Sequence, residues 1–183
     1  MSTQRASWKV KGEDILHELV SLMNITAEEM TLLGELSEHA RQITPEMTET
    51  FYARLFKHQN TSEYFEGVAM ERLHSMVADW FVELFNGRYD TAYAQKRLGI
   101  GKIHVQIGLP VRYPLAMLDV VMPFGERVAQ QSPKPTVAAT GFRKVLALDV
   151  AIFNQAYEDS QLHHLSELIG GESLARLLMS GKV

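Results

Sequence analysis

"KIHVQIGLPVRYP", residues 102–114, carries a single histidine into an apolar run that ends where no helix continues comfortably. Ile103, Val105, Ile107 and Leu109 surround His104, so its ring is expected to face a hydrophobic space. Gly108 and Pro110 then break the run, glycine and proline being the strongest local punctuation a chain has. An imidazole in such a place has two readings. It is a core side chain satisfied by a backbone carbonyl, which is the commoner case, or it is a metal ligand. Its immediate context leaves both open.

Outward from this stretch, helix punctuation is frequent and strand signals are nearly absent. Gly12-Glu13-Asp14 opens a short amphipathic stretch with Ile15, Leu16, Leu19 and Val20. Thr26-Ala-Glu-Glu29 is a capping box, in which hydroxyl and carboxylate satisfy each other's orphan backbone donors, and it starts a helix expected to reach about Gln42. Thr44-Pro45-Glu46 reads as a restart, with threonine as cap and proline at the first helical position. Phe51, Tyr52, Leu55 and Phe56 give that helix a wide apolar face, and KHQNTSEYFEG (57–67) reads as a loop with a brief turn. Met70, Leu73, Val77, Trp80, Phe81 and Leu84 recur at three and four, which predicts a helix from about Met70 to Phe85 ended by Asn86-Gly87.

Asp90 caps the helix that carries His104, whose glycines at 99 and 101 are expected to weaken its middle. Two longer helices follow, from about Val111 or Pro114 to Gln131 and from about Thr136 to His164 or beyond. After Gly170-Gly171 comes a short amphipathic piece that reads as a helix just starting. The fold class is all-α, with about seven or eight helices.

Composition narrows the function. The 183 residues suit one domain, and 46% hydrophobic with 22% charged residues is ordinary for a chain that buries a core. A net charge of -4 and a pI near 6.0 give no basic footprint for nucleic acid. With no cysteine, disulfides, thiolate zinc sites, iron–sulfur clusters and a cysteine nucleophile are all excluded. No window holds the ~18 apolar residues of a membrane span, and the polar start of the chain is no secretory signal. The expected location is the cytoplasm.

Most of the seven histidines read as solvated: His17, His39 and His58 have polar neighbours, and His163-His164 lies near the end of the last long helix. No metalloprotease, di-iron, hydrolase or phosphate-loop motif is present. Tyr52 stands out because it shares an apolar face with Phe51 and Phe56, and a buried hydroxyl needs a partner, which in an ordinary core is a backbone group. On the Met70–Phe85 helix the inward positions Leu73, Met76, Val77 and Trp80 are all apolar. One imidazole, one phenol and apolar walls describe a pocket that suits a haem, whose iron takes a proximal histidine while distal donors meet a bound gas.

His104-Val-Gln-Ile-Gly-Leu-Pro110 resembles the H-x-x-I-G-L signature of the globin domains of globin-coupled sensors, bacterial haem-based gas sensors related to protoglobins. The Phe51-Tyr52 pair, the Arg72-Leu73 helix ending in Phe85-Asn86-Gly87, Lys96-Arg97, and Leu148-Asp149 with Tyr157 fall at family-like intervals. The resemblance covers roughly residues 12 to 165. It implies a globin-like fold with an extra N-terminal helix, dimerising through the last two long helices. Leu115, Leu118, Val121, Val145, Leu146, Val150 and Phe153 could then serve both the core and that interface.

Carried over residue by residue, the resemblance makes His104 the proximal ligand of a haem b iron. Tyr52 becomes the distal hydrogen-bond donor, with Phe51, Leu73, Met76, Val77, Ile107 and Tyr113 around the cofactor. Two departures stand out. Met76 occupies a position where some members place a second donor, so oxygen stabilisation would fall to Tyr52 alone. Tyr113-Pro114 replaces the family's usual Trp-Tyr pair, so a phenol that could support the imidazole is absent there and the iron–histidine bond is expected to differ. His74 follows Leu73, and about a hundred degrees of rotation should turn it away from the iron; it and Met76 are the conceivable internal sixth ligands.

The implied function is sensing of a diatomic gas (O2, CO or NO), passed through a helical homodimer to an output module or partner. The segments are then a flexible N-terminus (1–11), the sensor (12–165), and a tail or linker start (166–183). No catalytic residues are expected. The rivals are a haem globin acting alone in oxygen binding or nitric-oxide chemistry, and a haem-free interaction module of the same shape.

Overall fold

The capping box at Thr26 forms in the computed structural model, which describes residues 6–181. The Glu29 amide donates to the Thr26 hydroxyl at 3.2 Å, and the Thr26 amide donates to the Glu29 carboxylate at 2.8 Å. This starts α2 (Ala27–Glu35), which follows α1 (Glu13–Met23). The expected run to Gln42 is not observed: α2 stops at Leu36, and α3 (Ser37–Phe56) begins at once.

Thr44 is not a cap either. Pro45 lies inside α3, where it lacks the amide that would bond to the Arg41 carbonyl. The Thr44 hydroxyl donates to that same carbonyl at 2.8 Å and takes the missing amide's place. What reads as a stop and restart is one helix with a repaired hydrogen bond.

The stretch after α3 is more ordered than a loop, with α4 (Gln59–Ser62) and a 3-10 turn at Glu63–Phe65. Next come α5 (Met70–Glu83) and α6 (Thr91–Gln106), where the Asp90 carboxylate accepts the Tyr93 amide at 3.0 Å. The segment expected as one helix to Gln131 is two, α7 (Arg112–Ala116) and α8 (Leu118–Ala129). The chain closes with α9 (Pro135–Ile169) and α10 (Glu172–Met179). The described residues therefore hold ten α-helices, two 3-10 turns and no strand.

α9 is the axis of the fold. α1, α2, α6, α8 and α10 all pack on it, while α3 packs on α5 and α8. In the core the fully buried Phe85 and Phe142 rings stack at 5.3 Å. Val121, Val145 and Leu146 are buried within this one chain, whereas Leu118, Val150 and Phe153 stay half-buried.

Of the expected N-terminal segment 1–11, residues 1–5 lie outside the described residues, as do 182 and 183 of the tail. Ala6–Lys9 forms a 3-10 turn, and Lys11 pairs with Glu172 at 2.6 Å, bringing the start of the chain to α10. α10 folds back on α9 through the buried Ala175. Among the described residues no helix is long and apolar enough to cross a membrane.

Candidate functional site

Asp149 is a charge in the middle of an apolar stretch of α9, and a buried charge needs partners. It has three: Arg97 Nε at 3.0 Å, Trp80 Nε1 at 2.6 Å and the Tyr93 hydroxyl. Burial pushes the Asp149 carboxyl up, against the pull of Arg97 and the two hydrogen-bond donors. Arg97 is itself 2% exposed; it reaches Glu83 at 3.1 Å and lies over the Tyr93 ring at 4.6 Å. Glu83 also pairs with Lys96. This clasp joins α5, α6 and α9 at one point.

Away from the clasp the two outer helices are held by different neighbours, α5 by α3 and α6 by α9 and α1. Leu73 lies seven residues back along α5 from Trp80, and His104 seven residues on along α6 from Arg97. At about 1.5 Å per residue, each is roughly 10 Å from the clasp. The clasp fixes the two helices to each other at that level, and beyond it each follows its own neighbours. Large apolar side chains stand exposed on both: Met76 at 52% on α5, Ile103 at 54% on α6 and Ile107 at 52% at its end.

His104 lies two turns along α6 from the clasp, half-buried, with Nδ1 2.8 Å from the Ile100 carbonyl. A carbonyl only accepts, so Nδ1 carries the proton and Nε2 keeps its lone pair. Burial pulls the imidazole below its ordinary value, outweighing the Ile100 bond, which favours the proton. The ring packs edge-on against Phe153 of α9 at 5.1 Å.

The motif that follows His104 is a helix cap. Gly108 has φ 70°, its amide donates to the Val105 carbonyl at 3.0 Å, and the Leu109 amide donates to the His104 carbonyl at 3.0 Å. That pair of bonds is a Schellman motif, which needs a left-handed residue at the glycine. The Leu109 carbonyl in turn accepts from the Tyr157 hydroxyl at 2.7 Å. α6 runs continuously through Gly99 and Gly101. A methyl group on Gly101 would stand 2.7 Å from the Ala156 Cβ, so its bareness lets α6 lie close on α9.

On the α5 side Tyr52 is 4% exposed, and its hydroxyl donates to the Leu73 carbonyl at 2.9 Å. Burial pushes its phenol well up, so it remains a donor. Phe51 and Phe65 meet the ring edge-on at 5.4 and 5.7 Å. His74 lies flat on the Tyr52 ring at 4.8 Å.

The sequence candidates therefore fall into groups. Phe51, Tyr52 and Leu73 are together, with Val77 half-buried one turn further along α5. Met76 and Ile107 are exposed, and His104 stands with Ile100 and Phe153. Tyr113 makes its contacts with Arg112, which lies 4.6 Å over its ring, and with Tyr64. Sequence reasoning assigned no role to the Arg97–Asp149 clasp, to the stacking of His74, or to the bond from Tyr157 to the turn. Asp149 carried a signal, being a lone acid in an apolar run; the other two carried none.

A model of the protoglobin family matches residues 12–163. The heme-based aerotactic transducer HemAT of Halobacterium salinarum is 30% identical over 146 residues, which are 71% of this chain but 30% of that protein. The chain thus spans less than a third of the length of this relative. The solved globin domain of a Geobacter sulfurreducens globin-coupled sensor superposes with a TM-score of 0.71 at 28% identity, covering 77% of this chain and 96% of the other. The helical order, the capped histidine helix and the family match agree: this chain belongs to the protoglobin family.

Proposed function

We propose that the chain is a haem-based gas-sensing globin domain in which His104 ligates the iron of haem b. The observation that carries this is the state of His104: its Nδ1 proton is committed to Ile100, leaving Nε2 with a free lone pair on a helix end whose Ile103 and Ile107 stand exposed. The residues fit a haem in kind, with one neutral imidazole and wall side chains that are nonpolar. Leu73, Met76 and Val77 form the distal wall, Phe51 backs Tyr52, and Ile107 and Tyr113 flank the proximal side. When bound, the haem supplies an iron centre that takes up a diatomic gas (O2, CO or NO) reversibly.

Tyr52 is the distal donor. Its hydroxyl donates to the Leu73 carbonyl, so donating to a ligand means leaving that carbonyl. A ligand that accepts the phenol's hydrogen bond therefore favours a different state of α5 from one that does not, which is what a population shift requires. The sensor spans 12–165, and 166–183 form a tail or the start of a linker. The output passes through a homodimer built on α8 and α9 to a further module or partner in the cytoplasm. The family membership and the similarity to a heme-based transducer and to a sensor domain support this reading.

The test is to load the purified chain with haem and record ferrous spectra with and without O2 and CO. One haem per chain and a Soret band that moves with each gas are expected. A ferrous spectrum already six-coordinate without gas would place a side chain of α5 where the gas should bind. No stoichiometric haem uptake would overturn the proposal and leave a globin-shaped interaction module.

A further inference from the structure

We propose that Tyr157 is the positioning residue of His104: by holding the Leu109 carbonyl it fixes the turn that closes α6, and with it the position at which His104 presents Nε2. The inference rests on the reading of His104 as the iron ligand.

The path is continuous through one residue, Leu109. The His104 carbonyl accepts the Leu109 amide at 3.0 Å, and the Leu109 carbonyl accepts the Tyr157 hydroxyl at 2.7 Å. The histidine's backbone is therefore tied to α9 through a residue outside the helix that carries it. The ring has its own tie to α9, because Phe153 meets it edge-on at 5.1 Å and touches Tyr157 at 5.3 Å. Phe153 and Tyr157 are four residues apart on α9, hence neighbours on one helix face. At Gly101 the two helices are in direct contact, so α6 has little room to yield between these points.

Partners of a ligating histidine set its orientation and its basicity. Here Ile100 holds Nδ1 and fixes the tautomer, while Tyr157 holds the end of the helix. Burial raises the Tyr157 phenol above its ordinary value, so it keeps its proton and goes on donating at neutral pH. A displacement of His104 pulls on Leu109 and so on α9, the helix on which most of the fold rests.

Tyr157→Phe removes the hydroxyl and keeps the ring on Phe153. Tyr64→Phe is the control, since that hydroxyl reaches the neighbouring Gly108 carbonyl at only 3.4 Å from an exposed position. In the haem-free protein, Tyr157→Phe should speed hydrogen exchange at the Gly108 and Leu109 amides about five- to tenfold, the factor one net hydrogen bond is worth. Amides of α2 and α3 should keep their rates, which separates a loosened turn from a loosened fold.

In the gas-free ferrous protein, the iron–histidine stretching band should shift in Tyr157→Phe and stay in place in Tyr64→Phe. A wild-type band that is unmoved in Tyr157→Phe overturns the proposal alone, even where exchange has quickened. A wild type with no iron–histidine band overturns the reading of His104, and this proposal with it.

Discussion

Gly99 and Gly101 lie two residues apart in α6, and helix propensity alone assigns each the same cost, about 1 kcal/mol relative to alanine. Their surroundings separate them. A methyl group on Gly99 would meet nothing within 4 Å, so Gly99→Ala should stabilise the protein by up to about 1 kcal/mol. For a chain of this size that raises the Tm by about 2–4 °C.

On Gly101 the same methyl would lie 2.7 Å from the Ala156 Cβ and 3.2 Å from the Phe153 carbonyl oxygen. Neither atom is the end of a flexible side chain, so α6 must draw back from α9. Overpacking of this kind costs about 1–3 kcal/mol, against a propensity gain of about 1. The net effect of Gly101→Ala is a loss of up to about 2 kcal/mol, and the two variants should differ by about 1–3. Urea unfolding of the haem-free proteins, followed by circular dichroism, reads that difference. Adding Ala156→Gly should recover much of the packing loss, because the residues in conflict then couple. Equal stabilisation by both alanines would refute the close approach of α6 to α9.

Tyr52→Phe should change stability by only about 1 kcal/mol, the net worth of its bond to Leu73, but speed O2 dissociation about tenfold or more with little change for CO; equal effects on both gases would remove the phenol as a donor. Asp149→Ala leaves Arg97 buried without its main counterion and should cost about 3–5 kcal/mol, measured by urea unfolding; a loss under about 1 would show the clasp to be dispensable. The haem-free protein should also lose stability in acid through His104. Its imidazole lies below the ordinary 6.5 when folded, so the unfolded chain takes up the proton first, and stability falls as pH drops from 6.5 through the folded value. His104→Gln should lack that component, and parallel pH curves for the two proteins would contradict it.

Features that depend on neighbours in the chain were legible in the sequence. The Thr26–Glu29 capping box, the Asp90 cap and the apolar face of α5 are local, and each formed as read. The His104 turn was legible as a break, although only its hydrogen bonds identify it as a Schellman cap. The errors arose where a distant or repaired partner decides. Thr44-Pro45 carries two good start signals, but a side-chain hydroxyl cancels the proline's defect and α3 runs through. Gly99 and Gly101 read alike along α6, and only the helix lying against Gly101 separates them. The stacking of His74 was not legible, because rotation about α5 gives its direction relative to Leu73, not to Tyr52 on another helix. For Tyr157, a tyrosine on a long helix carries no sign that a carbonyl 48 residues earlier will meet it.

The central claim is that the His104 imidazole holds the haem iron. It is tested most directly by His104→Gly, titrated with haem in the presence and absence of free imidazole. The account predicts that the variant alone fails to hold haem with the wild-type ferrous spectrum, and that millimolar imidazole restores it. A His104→Gly protein that binds haem with an unchanged spectrum and ignores imidazole would contradict the account.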